Sequence, residues 1–316
     1  MINVTIRKIR EIATAIRSFE LVAQDGRALP RFAAGAHIDV QLPGAITRQY
    51  SLCGEPGRTD AYVIAVLKTA ASRGGSHAMH ALQEGDRLVI DGPRNHFPLA
   101  DEAGHSVLLA GGIGITPLLC MAENLAGAGK SFELHYCVRN RPGAAFLDRL
   151  QRSSLKDRFF LYRDDAGPAE RIDFAGICEA PAESKHLYVC GPGGFMDAAL
   201  GAARQAGWPE ANLHREYFAA APVGGAAAGG FRVTLSRARL TVEVKPDQTV
   251  VQALATHGVE IPTSCEQGIC GTCLTRVLAG EPDHRDLFLT NAERARNDCF
   301  LPCCSRARSK ELVLDL

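Results

Sequence analysis

The 316-residue chain has no net charge, since 35 Lys and Arg are balanced by 35 Asp and Glu. Neutrality supplies no global attraction to nucleic acid or to anionic lipid. Long apolar runs are also missing. The most apolar stretch, residues 107–122, is broken by glycines and by Pro117 and falls short of the ~20 residues of a membrane span. Met1-Ile2-Asn3-Val4-Thr5-Ile6-Arg7 has no basic start followed by an apolar stretch, so no secretory signal is read. Apolar residues at 46% and charged residues at 22% exclude disorder and fibrous repeats. No internal repeat is found. The expectation is a cytoplasmic protein without nucleic-acid or membrane partners.

Cysteine is what the chain has in excess. Eleven are present, and six lie between Cys265 and Cys304, while Cys53, Cys120, Cys137, Cys178 and Cys190 are scattered. An odd, clustered set is unlike the even framework of a small secreted disulfide protein and points to metal.

Residues 219–230, made only of Ala, Gly, Pro and Val, read as a linker because they offer little to bury. Before it, the pattern changes near residue 102. Residues 1–102 alternate short β-rich runs, such as Ala36–Leu42 and Tyr62–Leu67, with turn signals, which predicts an antiparallel β-barrel or sandwich. Residues 103–218 carry apolar strand runs followed by helical periods, which predicts an α/β doubly wound parallel sheet. Thr116-Pro117 suits an N-cap and first helical position there. Residues 231–316 open with a hairpin pattern, continue with a helix from about Val250 to His257, and end in an apolar run, as in a small α+β domain.

Cys265-x4-Cys270-x2-Cys273 followed far downstream by another Cys is the plant-type spacing for a [2Fe–2S] cluster. Structural zinc prefers paired Cys-x2-Cys knuckles, and only one such spacing occurs. The fourth ligand is Cys303 or Cys304, because adjacent side chains of an extended segment point to opposite sides.

Arg48-Gln49-Tyr50-Ser51 is similar to the Arg-x-Tyr-Ser flavin motif of ferredoxin-reductase-like barrels. By period alone these are equally alternating strand residues. Ser72-Arg73-Gly74-Gly75-Ser76, before a helix expected from near His77, offers backbone amides to a phosphate, or is an ordinary turn with Ser76 as N-cap. Ala110-Gly111-Gly112-Ile113-Gly114 and Cys190-Gly191-Pro192-Gly193-Gly194 each follow a strand and open a helix. Neither is Gly-x-Gly-x-x-Gly, and such turns serve packing as well as ligands. Asp164 and Asp165 suit the ribose hydroxyl of NADH, although Arg163, Arg139 and Arg141 lie close in sequence.

Ser264 to Cys273, His284-Arg285-Asp286 and Cys303-Cys304-Ser305-Arg306-Ala307 closely resemble the C-terminal ferredoxin domain of the phthalate dioxygenase reductase family, and the resemblance extends over nearly the whole chain. It implies an FMN-binding β-barrel (1–102), an NAD-binding α/β domain (103–218), a linker (219–230) and a β-grasp ferredoxin domain (231–316). It implies Cys265, Cys270, Cys273 and Cys303 as iron ligands. For FMN it implies Arg48, Tyr50, Ser51, Val66, Leu67, Lys68, Gly74, Gly75, Ser76, Thr116 and Phe218; for NADH, Gly111, Gly112, Gly114, Asp165, Cys190, Gly191 and Pro192. The implied chemistry is hydride transfer from NADH to FMN, then single electrons through the cluster to an external Rieske-type oxygenase acting on aromatic acids. Such transfer needs positioning and tuned potentials rather than acid–base residues, so no general base is nominated. The chain itself has no Cys-x-His pair with a second Cys-x2-His, so oxygen chemistry is expected on another polypeptide. Two other readings stay open: a reductase serving a diiron hydroxylase or a ferredoxin, and a non-catalytic flavin and iron–sulfur redox sensor.

Overall fold

A computed structural model describes all residues except Ala45, Ala71, Arg73, Ser153 and 219–228. Arg73 and most of the expected linker 219–230 therefore lie outside the described residues. The chain forms two compact units, Met1–Phe218 and Ala219–Leu316.

Alternating apolar residues such as Val4 and Ile6, or Phe19 and Leu21, turn inward from strands whose other face meets water. The first unit thus begins with β1 (Ile2–Ala13), β2 (Ile16–Ala23), β3 (Ala36–Leu42), β4 (Ile46–Ser51), β5 (Tyr62–Leu67) and β6 (Arg87–Asn95). They form an antiparallel sheet of order β4-β3-β6-β1-β2-β5. A bridge from Leu52 to Ile64 joins the two edge strands and closes the barrel. Helix α1 (Gly75–Ala81) follows β5. It starts two residues before the expected His77, because Gly74 turns the chain in with φ 88°. Ser76 lies inside the helix rather than capping it, and its hydroxyl accepts from Thr69 N at 3.3 Å.

Continuous apolar runs build the second sheet from β7 (His105–Gly111), β8 (Ser131–Val138), β9 (Phe159–Arg163), β10 (Lys185–Cys190) and β11 (Leu213–Glu216). All pairs are parallel, in the order β11-β10-β7-β8-β9. Leu108 and Ala110 pack with α2 (Ile115–Gly127), while Val107 and Leu109 pack with α5 (Gly193–Gln205). The sheet is therefore covered on both faces, as parallel sheets require. Short helices α3 (Leu147–Arg152) and α4 (Phe174–Cys178) complete it. The N-cap of α2 is Gly114, not the expected Thr116, because a 3-10 turn over Gly112–Gly114 starts the helical path early. Pro117 then sits in the first turn, where its missing N–H costs nothing. One apolar core runs through both sheets, and the Cys120 thiol of α2 donates to Gly54 O of the barrel at 3.4 Å.

The second unit contains β12 (Phe231–Leu235), β13 (Leu240–Val244), α6 (Val250–Ala255), β14 (Thr275–Ala279), β15 (Pro282–Asp283), α7 (Asn291–Arg296), β16 (Cys299–Phe300), β17 (Arg306–Ala307) and β18 (Glu311–Leu314). Its sheet runs β13-β12-β18-β14-β16, with β12 and β18 parallel. Helix α6 opens with a capping box between Thr249 and Gln252 and buries Val250, Ala253 and Leu254 against Val233, Leu235 and Leu312. Among the described residues, no helix is long and apolar enough to cross a membrane.

Candidate redox sites

The loop between α6 and β14 carries three thiols, and the segment between β16 and β17 carries Cys303 and Cys304. Cys265, Cys270, Cys273 and Cys303 are buried, whereas Cys304 is half-buried. Two thiol pairs form, Cys265 with Cys270 and Cys273 with Cys303, and Cys303 also bonds Cys304. Cys265 and Cys270 share a hydrogen bond that holds the first thiol's pKa up and the second's down. Cys273 is raised above the usual thiol range by its hydrogen bond with Cys303 and then by burial. Two pairs of thiols from one loop and one downstream segment suit a dinuclear cluster, in which each iron would take two cysteines.

The loop's backbone is shaped for this. Gly268 has φ 72°, and a Cβ there would lie 2.3 Å from Cys304 Sγ and 2.9 Å from Asp286 Cα. Gln267 N donates to Cys265 Sγ at 3.3 Å, the kind of amide contact that tunes a cluster's potential. Asp286, fully buried as a side chain, accepts from Leu289 N at 2.8 Å and from Ser305 Oγ at 3.5 Å. The His284-Arg285-Asp286 motif thereby fixes the segment that presents Cys303.

In the first unit, the two halves of the expected flavin site are brought together. A Cβ on Gly75 would lie 2.6 Å from Arg48 Cγ, so the arginine of β4 lies directly across the start of α1. Its guanidinium donates to Thr47 O at 2.7 Å. Tyr50, on the same side of β4, has its phenol pKa raised by burial. Val66 is buried and Lys68 exposed, while Lys68 N is taken by Ala15 O. Gly74, beside Ile46, starts α1 with no side chain capping its first turn.

In the parallel sheet, Gly111, Gly114 and Gly191 are explained by packing whatever they bind. A Cβ on Gly114 would fall 2.1 Å from Cys190 O, and one on Gly191 would fall 2.9 Å from Gly111 Cα. Gly112, by contrast, faces open space with φ 55°. Pro192 caps α5. Thr116 is buried and its hydroxyl donates to Ile113 O at 3.1 Å. Asp165 is exposed, 3.9 Å from Arg163. Phe218 is 36% exposed at the end of the unit.

One residue without an assigned role in the sequence enters the site. Glu216 is paired with Cys190 across β11 and β10, and accepts from Ser51 Oγ at 3.2 Å. Burial pushes its pKa up to about 8. Cys190 is fully buried, with its thiol pKa raised first by desolvation and then by Glu216. Sequence reasoning missed Glu216 because Leu213-His214-Arg215-Glu216 has one apolar residue and gives no strand signal.

The family model for a 2Fe-2S iron-sulfur cluster binding domain matches residues 233–308. A vanillate O-demethylase oxidoreductase of Pseudomonas sp. (strain HR199 / DSM 7063) is 52% identical over 317 residues, covering 100% of both chains. The solved phthalate dioxygenase reductase, described as a modular structure for electron transfer from pyridine nucleotides to [2Fe-2S], is 38% identical with a TM-score of 0.79, covering 99% of this chain and 97% of that one. An intact type IV self-sufficient cytochrome P450 monooxygenase is 41% identical with a TM-score of 0.85, covering 100% of this chain and 41% of that one. The paired thiols, the closed barrel beside a parallel sheet and full-length identity of this level lead to one conclusion: this chain belongs to the phthalate dioxygenase reductase family, the electron-transfer reductases of oxygenase systems.

Proposed function

We propose that the protein takes reducing equivalents from NADH and delivers them one at a time to a separate Rieske-type oxygenase acting on an aromatic acid, in the cytoplasm. In this reading residues 1–102 hold FMN, 103–218 hold the nicotinamide nucleotide, and 231–316 hold the [2Fe–2S] cluster. Bound FMN would supply the exchange between a two-electron hydride donor and one-electron acceptors. The chain's own task is placement. Arg48 and the amides around Gly74, Gly75 and Ser76 suit a phosphate, since a guanidinium and backbone N–H groups are both donors. Tyr50 offers a flat face for a ring, and Ser51 a hydroxyl at its edge. Gly112, Cys190 and Pro192 border the carboxyl ends of β7 and β10, where open α/β sheets bind ligands. Cys265, Cys270, Cys273 and Cys303 are the nominated iron ligands, with the exposed side of loop 265–273 as the place where an oxygenase docks.

The observation that carries the reading is the Ser51–Glu216 hydrogen bond, which supports a shared cleft where the flavin strand meets the nucleotide end of the parallel sheet. The test is an anaerobic NADH titration of the purified protein. Bleaching of both flavin and iron–sulfur absorption is expected. Colour that NADH leaves unchanged would overturn the nicotinamide assignment in favour of the redox sensor. Likeness to a cytochrome P450 monooxygenase favours a second acceptor class, a haem monooxygenase, and reduction assays with purified acceptors separate the two.

A further inference from the structure

The carboxyl ends of β8 and β9 carry an unusual set of charges. Asp164 N and Asp165 N donate to Val138 O and Arg139 O, each at 3.0 Å, so the two strand ends form one platform. Beside it lies a cleft of about 460 Å3 lined by Arg141, Lys156, Arg163 and Glu170 among others. Three cations and one carboxylate make this cleft attractive to an anion. Arg163, however, is engaged. Its Nε and Nη2 reach Glu170 Oε2 at 3.2 and 2.5 Å, and Nη1 lies 3.9 Å from Asp165. Glu170 arrives from a separate short 3-10 turn, Pro168–Glu170, so its carboxylate is delivered to the arginine by the fold rather than by neighbouring position on β9.

We infer that Glu170 is a specificity-determining residue, holding Arg163 away from a 2′-phosphate so that the site takes the dinucleotide with a free 2′-hydroxyl. This inference rests on the nicotinamide reading above. In an open α/β sheet the ribose 2′-position is read at a strand's carboxyl end, by a carboxylate for the hydroxyl or by an arginine for the phosphate. Here both groups are present. Asp165 is the acceptor for a hydroxyl, and Arg163 is the fork that would clamp a phosphate. Glu170 decides between them by occupying the fork. Glu170 acts through Arg163, and so positions rather than reacts.

The test uses the full-length protein and two fragments, 5′-AMP and adenosine 2′,5′-bisphosphate, whose dissociation constants are measured by calorimetry. The wild type is expected to favour 5′-AMP. In Glu170→Gln the ratio of affinities should shift toward the bisphosphate by about tenfold, the scale of one charge-assisted arginine contact freed for the phosphate. In the double variant Arg163→Ala/Glu170→Gln the gain should vanish. An unshifted ratio in Glu170→Gln would overturn the inference, and so would a gain that survives in the double variant, because Glu170 would then act without Arg163. If the wild type binds neither fragment, the nicotinamide reading fails and takes the inference with it. Binding of 5′-AMP without the shift sinks the inference alone.

Discussion

Ser51 Oγ donates to Glu216 Oε2 at 3.2 Å, which ties the last residue of β4 to the last residue of β11. One end belongs to the barrel and the other to the parallel sheet, so a single hydrogen bond spans both expected cofactor sites. Its acceptor is a carboxyl that burial keeps protonated to about pH 8.

Three groups give the first unit a pH optimum. Glu216 has a folded pKa above its ordinary 4.5, so the folded state holds an extra proton and stability falls as pH rises from 4.5 to about 8. His37 and His214 are each lowered from 6.5 to about 4, chiefly by burial and then by His96 and His186 respectively. Their contribution is present above 6.5 and is lost as pH falls toward 4. Two histidines outweigh one carboxyl below pH 6.5, and Glu216 acts alone above it. Each proton is worth about 1.4 kcal/mol per pH unit. Urea melts from pH 4.5 to 8.5 should peak near 6.5, and Glu216→Gln should abolish the decline on the alkaline side.

Replacing either adjacent cysteine separates their roles. Cys303→Ser removes a thiol that pairs with Cys273 and should abolish iron–sulfur absorption. Cys304→Ser should keep it, since that half-buried thiol bonds Leu301 O, Ser305 and Cys303 and belongs to neither of the two pairs. Visible spectra with iron and sulfide content decide the matter.

Glycines of the same turn should differ sharply. Gly114→Ala drives a Cβ to 2.1 Å from the Cys190 carbonyl and should cost roughly 2–4 kcal/mol or prevent folding. Gly112→Ala meets nothing within 4 Å but has φ 55°, for a penalty of about 1 kcal/mol. Denaturant midpoints of the two variants measure the contrast.

Arg48 is placed to test the flavin assignment. Arg48→Ala should weaken FMN binding by about tenfold or more through loss of charge-assisted donors, read as fluorescence of released flavin on dilution. Arg48→Lys should recover only part of it, because an ammonium lacks the planar fork.

Much of this was legible in the residues. β5, β7 and β10 are largely apolar runs, and β3 and β8 alternate apolar with polar residues, patterns that burial writes into the sequence. The cysteine spacing was readable because two irons need four thiolates whatever surrounds them. β11 was not, since an edge strand with His214, Arg215 and Glu216 has no period. Helix starts also slipped: a left-handed Gly74 and a 3-10 turn at Gly112 each began a helix before the residue that propensity favours. Which glycines serve packing and which face open space depended on how close two turns come in three dimensions, a distance no local pattern encodes.

The strand order of the second unit bears on how the protein is made. β18 is the middle strand of its sheet, lying between β12 and β14, yet in sequence it follows the other described strands of the unit. Until residue 314 has left the ribosome, β12 has no parallel neighbour and the loop bearing Cys265, Cys270 and Cys273 has no finished sheet behind it. A finished sheet behind the cluster loop must therefore wait until β18 has been made. During that interval the thiols stand unprotected, and a tag or truncation that disturbs residues 311–314 would harm cluster assembly far more than its distance in sequence suggests.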